Sequence, residues 1–146
     1  MLNYFNGKQI HSVDAKGRVI VPVKFREKLG EQFIVALGID CCLNIYPMDE
    51  WLKLLEKLDT NLPGTDGGRK LLTFLSANSE PVEMDKQGRV ILPQELRERV
   101  GITKDIVSVG ALDKIKMFSK EAWDQYNDSV SREEIASTAA TYGIRL

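Results

Sequence analysis

The stretch DAKGRVIVPVKFRE, residues 14–27, is answered 71 positions later by DKQGRVILPQELRE, residues 85–98. Asp14, Gly17, Arg18, Val19, Ile20, Pro22, Arg26, Glu27 and Gly30 meet identical residues at Asp85, Gly88, Arg89, Val90, Ile91, Pro93, Arg97, Glu98 and Gly101. One inserted residue later the match resumes: FIVALGIDCCLNIYPMDEW (33–51) faces DIVSVGALDKIKMFSKEAW (105–123), with Gly38 on Gly110 and Trp51 on Trp123. Two copies of this extent predict one supersecondary unit used twice in a pseudo-symmetric fold, not a long solenoid.

Each copy has a legible local structure. In DAKGR the aspartate can accept hydrogen bonds from backbone amides just ahead of it, and the glycine can take positive φ, so the stretch predicts a tight turn. RVIVP and RVILP are β-branched runs of strand type closed by a proline, which can also open a helix at its first position. VKFREKLG and QELRERVG then predict short helices with Phe25 and Leu29, or Leu96 and Val100, facing inward and a glycine stop at Gly30 or Gly101. Two short strands follow in each copy, QFIVALG and CLNIYP, then DIVSVGA and KIKMFS. A further helix begins at MDEWLKLLEKL and at KEAWDQY. Between the halves DTNLPGTDGG is a polar breaker, followed by RKLLTFLSANS with helical spacing of its leucines and Phe74. The tail SREEIASTAATYGIRL is expected to be helical at first and poorly ordered at its end.

The chain has 146 residues, 43% of them hydrophobic and 28% charged, an ordinary balance for a folded globular protein and not for a disordered one. No apolar run approaches the ~18–20 residues of a membrane span, and MLNYFNGKQI lacks the plan of a signal peptide, which places the protein in the cytoplasm. Cys41 and Cys42 are adjacent and lack the spacing of a zinc or redox motif, so they suit a turn or strand start in a reducing compartment. His11 is the only histidine, too little for a histidine-rich metal site, and is expected on a strand flank. No metal or cofactor is expected.

Asp14 and Asp85 form a repeated carboxylate pair, but each precedes a turn glycine and an arginine, so turn capping explains them better than acid–base catalysis. The chain is not expected to be an enzyme. PGTDGGRK (63–70) lacks the spacing of a phosphate-binding loop and suits a connector. Trp51 and Trp123 suit core anchors. The basic residues carry more information. Residues 14–30 hold Lys16, Arg18, Lys24, Arg26 and Lys28 against Asp14 and Glu27, an excess of +3, whereas residues 85–101 have an excess of only +1. Lys16 and Arg18 flank the glycine turn, so two cations stand at the tip of a β element. A β-ribbon of that kind can enter a DNA major groove, where arginine bonds guanine O6 and N7 and nearby lysines hold phosphates. Arg26 and Arg97 are expected to pair with Asp14 and Asp85 or their symmetry mates.

These two motifs, with GIDCCLNIYPMDEW between them, resemble the D-x-x-x-R signatures of the MraZ family of bacterial transcriptional regulators, over roughly residues 1–130. The resemblance implies an α+β fold: duplicated, pseudo-symmetric AbrB-like (SpoVT-AbrB, swapped-hairpin) βα units forming a small β-barrel-like core with peripheral helices. It implies a first repeat at 1–62, a second with its leading helix at 63–130 and a tail at 131–146. It also implies a nucleoid-associated regulator that binds G-rich direct repeats in double-stranded promoter DNA and represses its own division and cell-wall gene cluster. Such proteins assemble into ring-shaped homo-oligomers, so a subunit of net charge −1 can present several basic turns on one rim and gain avidity on spaced repeats. Carried over by position, Lys16, Arg18, Lys86 and Arg89 would contact DNA, while Asp14, Gly17, Asp85 and Gly88 would shape the turns. No membrane or small-molecule partner is implied. The alternative is an AbrB-like protein-interaction or antitoxin-type module, in which the duplicated turn serves association.

Overall fold

The structure, a computed structural model, describes residues 3–62 and 64–146. The first half runs β1 (Lys8–Ser12), β2 (Arg18–Ile20), α1 (Val23–Leu29), β3 (Gln32–Leu37), β4 (Leu43–Pro47) and α2 (Met48–Asn61). After α3 (Asp66–Ala77) the second half repeats the plan: β5 (Ser79–Glu83), β6 (Arg89–Ile91), α4 (Gln94–Arg99), β7 (Asp105–Ala111), β8 (Lys114–Ser119) and α5 (Lys120–Asp128), with α6 (Arg132–Thr141) at the end. The fold is α+β, as the family resemblance implies.

The two halves exchange strands. A six-stranded sheet has the order β1-β7-β8-β4-β3-β5, and β2 pairs with β6 in a separate two-stranded ribbon, all antiparallel. Swapping each strand for its counterpart in the other half leaves this order unchanged, which is the mark of a pseudo-two-fold. Among the described strands, the β3–β4 and β7–β8 hairpins are the ladders that pair within a half. The first strand of each half leaves its own repeat: β1 joins β7 with Ser12 opposite Asp105, and β5 joins β3 with Glu83 opposite Gln32. The ribbon lies beside both outer strands, β2 next to β1 and β6 next to β5, and a bridge between Val13 and Val19 ties β1 to β2. Sheet and ribbon therefore close around one core.

That core draws evenly on both halves, with Val19 and Val90 beneath the ribbon and Phe25, Leu29, Leu96 and Val100 from the helices, all buried. Strand β3 is apolar on both faces because both are covered. Phe33 and Val35 face the shared core, while Ile34 and Ala36 join Tyr46 and Trp51 under α2. On the other half Phe118 meets Trp123 edge-on at 5.3 Å. Trp51 is thus a core anchor, whereas Trp123 is only half-buried and packs with Phe118 and Tyr126.

Two details depart from the sequence reading. Strands β1 and β5 form where no strand was expected. The breaker is shorter than expected, since α2 continues to Asn61 and α3 opens at Asp66 despite two glycines in its first turn. The Thr65 hydroxyl accepts from the Gly68 amide at 3.1 Å, and Asp66 sits where the helix dipole favours an anion. The expected boundary at residue 63 falls on Pro63, outside the described residues. His11 lies on β1, half-buried, with Nε2 2.6 Å from the Ser108 hydroxyl; burial lowers its pKa, so the ring is neutral at pH 7. Cys41 is exposed in the β3–β4 turn, and Cys42 is buried, which pushes its thiol up to about 11.

Candidate nucleic-acid interface

The two D-x-x-x-R turns have the same construction. In the first, Asp14 Oδ1 accepts from the amides of Lys16 and Arg18, each at 2.9 Å, and Oδ2 accepts from Arg18 Nε at 2.7 Å. In the second, Asp85 Oδ1 accepts from Gln87 and Arg89 at 2.9 Å, and Oδ2 from Arg89 Nε at 2.8 Å. Each turn is shut by a glycine amide on the aspartate carbonyl at 3.0 Å. Gly17 and Gly88 sit at φ +81° and +80°, a region open to glycine and strained for other residues. Asp14, Gly17, Asp85 and Gly88 therefore all take part in the turns themselves.

Both carboxylates lie below the usual aspartate range, first because each accepts the amide of its arginine and then because of that arginine's side chain. The folded pKa is depressed, so this contribution to turn order is complete above the unfolded pKa and is lost as pH falls through the folded one. The turn amides of Lys16, Arg18, Gln87 and Arg89 should accordingly be unchanged in NMR spectra down to about pH 5 and shift together at pH values below about 4. Spectra that stay constant until the whole chain denatures would remove the carboxylates from this role.

The ribbon then brings the turns together. Arg18 stands opposite Ile91, Val19 opposite Val90 and Ile20 opposite Arg89. Strand alternation sends Val19 and Val90 inward, so Arg18, Ile20, Arg89 and Ile91 share the outer face. Ile20 is 57% and Ile91 63% exposed. The outer face is a diagonal pair of arginines around two isoleucines, the Arg18 and Arg89 Cα atoms on the order of 8 Å apart by strand geometry. Arginine Nε is spent on the aspartate in each case, while the terminal guanidinium nitrogens make no hydrogen bond among the described residues. The aspartate thus aims a planar fork outward, the form that reads guanine.

Lys16 and Lys86 are both exposed but are not equivalent. Lys16 matches Gln87, while Lys86 matches Ala15, so each turn carries one lysine at a different step. The sequence reading missed Ile20 and Ile91, whose place on the outer face follows from period-two alternation once the ribbon register is known. It also misplaced Arg26 and Arg97, which form no ion pair with either aspartate. Arg26 donates Nε to the Val21 carbonyl at 2.8 Å and lies across Gly88, while Arg97 lies across Gly17. Among the described residues there is no cluster of three or more potential metal ligands and no helix long and apolar enough to cross a membrane.

Comparison with known proteins gives the family. The family described as "MraZ protein, putative antitoxin-like" matches residues 4–69 and 74–143. A "Transcriptional regulator MraZ" of Lachnoclostridium phytofermentans is 46% identical over 140 residues, covering 96% of this chain and 98% of its own length. Proteins of the same name from Clostridium tetani and Acetivibrio thermocellus are 45% and 46% identical over 96% of this chain, each over 99% of its own length. Matched in both halves by one family, and along nearly all its length by these regulators, the chain belongs to the MraZ family.

Proposed function

We propose that this chain is a DNA-binding transcriptional regulator that represses its own division and cell-wall gene cluster by reading G-rich direct repeats in the promoter. It is not an enzyme. The observation that carries the reading is the ribbon face, where two turns of one construction hold Arg18 and Arg89 by Nε and leave their outer nitrogens for base edges. Lys16 and Lys86, exposed in the two turns, would hold phosphates. The first turn leads because its window is the more basic. The halves at 1–62 and 63–130 serve as two copies of one reading unit, and 131–146 is an accessory tail.

Self-association into a ring adds avidity, since one ribbon neutralises few phosphates. Support for it comes from α2 and α3, which expose Leu52, Leu55, Leu71, Leu72 and Phe74 beside an open groove of about 410 Å³ lined by Leu58 and Leu62. Such a ring would sit on promoter DNA and so with the nucleoid.

The test is fluorescence-anisotropy binding to a duplex of TGGG-type direct repeats and to a scrambled duplex, across a salt series. Wild type is expected to prefer the repeats by well over ~10-fold, and Arg18→Ala to abolish that preference at a cost of about 1–3 kcal/mol per engaged subunit. Arg89→Ala should cost less. Equal, weak and steeply salt-dependent binding to both duplexes would be phosphate contact alone and would favour a protein-interaction module of antitoxin type.

A further inference from the structure

The turns are held from across the pseudo-two-fold. The Gly17 carbonyl accepts from the Leu92 amide at 3.0 Å, and the Gly88 carbonyl accepts from the Val21 amide at 2.8 Å. The same crossing recurs in the side chains. A Cβ on Gly17 would stand 3.1 Å from Arg97 Nη2, and one on Gly88 would meet the Arg26 guanidinium carbon, with Nε at 2.6 Å. Each guanidinium therefore lies over the turn of the other half, in the space that a missing side chain leaves. The flat, rigid form of the group suits this, because a plane can cover a glycine turn that a lysine ammonium would only touch.

The two braces differ in one bond. Arg26 Nε is fixed by the Val21 carbonyl, and Val21 in turn donates to Gly88, so that brace and its turn share a closed set of partners. Arg97 Nε is buried without a partner. The first turn, which opens the more basic window, is thus covered by the less tethered arginine.

We infer that Arg97 is a positioning residue for the first reading turn and Arg26 for the second, each acting in the opposite repeat. Without the guanidinium cover, the turn loses the wall that fixes Gly17, and Arg18 no longer presents its fork in one orientation. The DNA consequence rests on the reading of the ribbon as a DNA-contacting face, whereas the crossed bracing itself does not.

Amide hydrogen exchange on the full chain separates the two. Arg97→Leu is expected to speed exchange at the Gly17 and Arg18 amides by about fivefold to tenfold, the worth of roughly one hydrogen bond, while Gly88 and Arg89 hold within about twofold. Arg26→Leu should do the reverse. Arg97→Lys, which keeps the charge and the stem, guards against misfolding and should give the same first-turn pattern more weakly. In DNA binding, Arg97→Leu should reduce the preference for repeats over scrambled duplex by about fivefold to tenfold while the salt slope is unchanged. Faster exchange in the variant's own repeat, in both turns alike or in neither would overturn the crossed assignment. A salt slope smaller by about one would instead make Arg97 a direct phosphate contact. If the crossed exchange pattern holds while Arg18→Ala leaves repeat preference intact, the brace stands and the DNA reading fails.

Discussion

Phe25→Ala is expected to lower the free energy of unfolding by about 3–5 kcal/mol, the usual cost of removing a buried aromatic ring and leaving part of its cavity. Phe25 is 1% exposed and meets Phe5 edge-on at 5.9 Å. It sits among residues of both halves, so the surroundings cannot collapse onto the gap without moving the ribbon above. Domains of this size are stable by only about 5–15 kcal/mol, so the variant should lose a large fraction of its margin. Val23→Ala, two residues earlier on the same helix but 75% exposed, should change stability by under about 0.5 kcal/mol. Urea denaturation at one fixed protein concentration checks both, the fixed concentration removing any contribution from self-association. A Phe25→Ala loss below about 1 kcal/mol would mean that the core repacks freely across the two-fold.

Gly110→Ala should be nearly as damaging although it adds only a methyl group. A Cβ there would stand 2.7 Å from both the Asn6 Cα and the Phe5 carbonyl carbon, main-chain atoms that cannot swing aside. This approach exists because the segment before β1 is stitched to the end of β7. Gly110 donates to the Gly7 carbonyl at 2.8 Å, Phe5 to the Leu112 carbonyl at 2.8 Å, and Leu112 to the Phe5 carbonyl at 3.0 Å. To admit the methyl the segment must lift, which breaks these bonds and exposes Phe5, otherwise 3% exposed. The expected loss is about 3–5 kcal/mol, from hydrogen bonds worth ~1 kcal/mol each and the partial release of one aromatic. The cause predicts its own control: Phe5→Ala on top of Gly110→Ala should add far less than Phe5→Ala alone, because the two changes remove the same packing. Additive losses would show that the segment stays seated.

The duplication was legible because identical residues at a constant offset need no structural insight, and from it came both turns, both short helices and both hairpins. Strands β1 and β5 were not legible. KQIHS and SEPVE lack the alternation of a half-buried strand, and they are the outer strands of the six-stranded sheet, with Pro81 tolerated at an edge. Their partners lie in the other repeat, beyond any local window. The same distance hid the ribbon face. Arg18 and Arg89 were recognisable singly, but that they share one surface with Ile20 and Ile91 depends on a register between residues about seventy apart. The roles expected of Arg26 and Arg97 failed for a related reason. The aspartates expected for them are already satisfied by Arg18 and Arg89 at i+4, and the room for a guanidinium opens across the two-fold.

Strand exchange between the halves also sets a timetable for synthesis. When β1 leaves the ribosome its partner β7 has not been made, and Ser12 must wait for Asp105. At the usual ~5–20 residues per second the delay is roughly 5–20 s. During it the nascent first half has β1 and β2 unpaired, an edge of β3 waiting for β5, and Phe25 and Phe33 without the residues that will cover them. A polypeptide released before Ser79 cannot complete any of these pairings from its own sequence. Truncated products are expected to expose these surfaces to chaperones and proteases, with the first arginine turn translated but no ribbon to hold it.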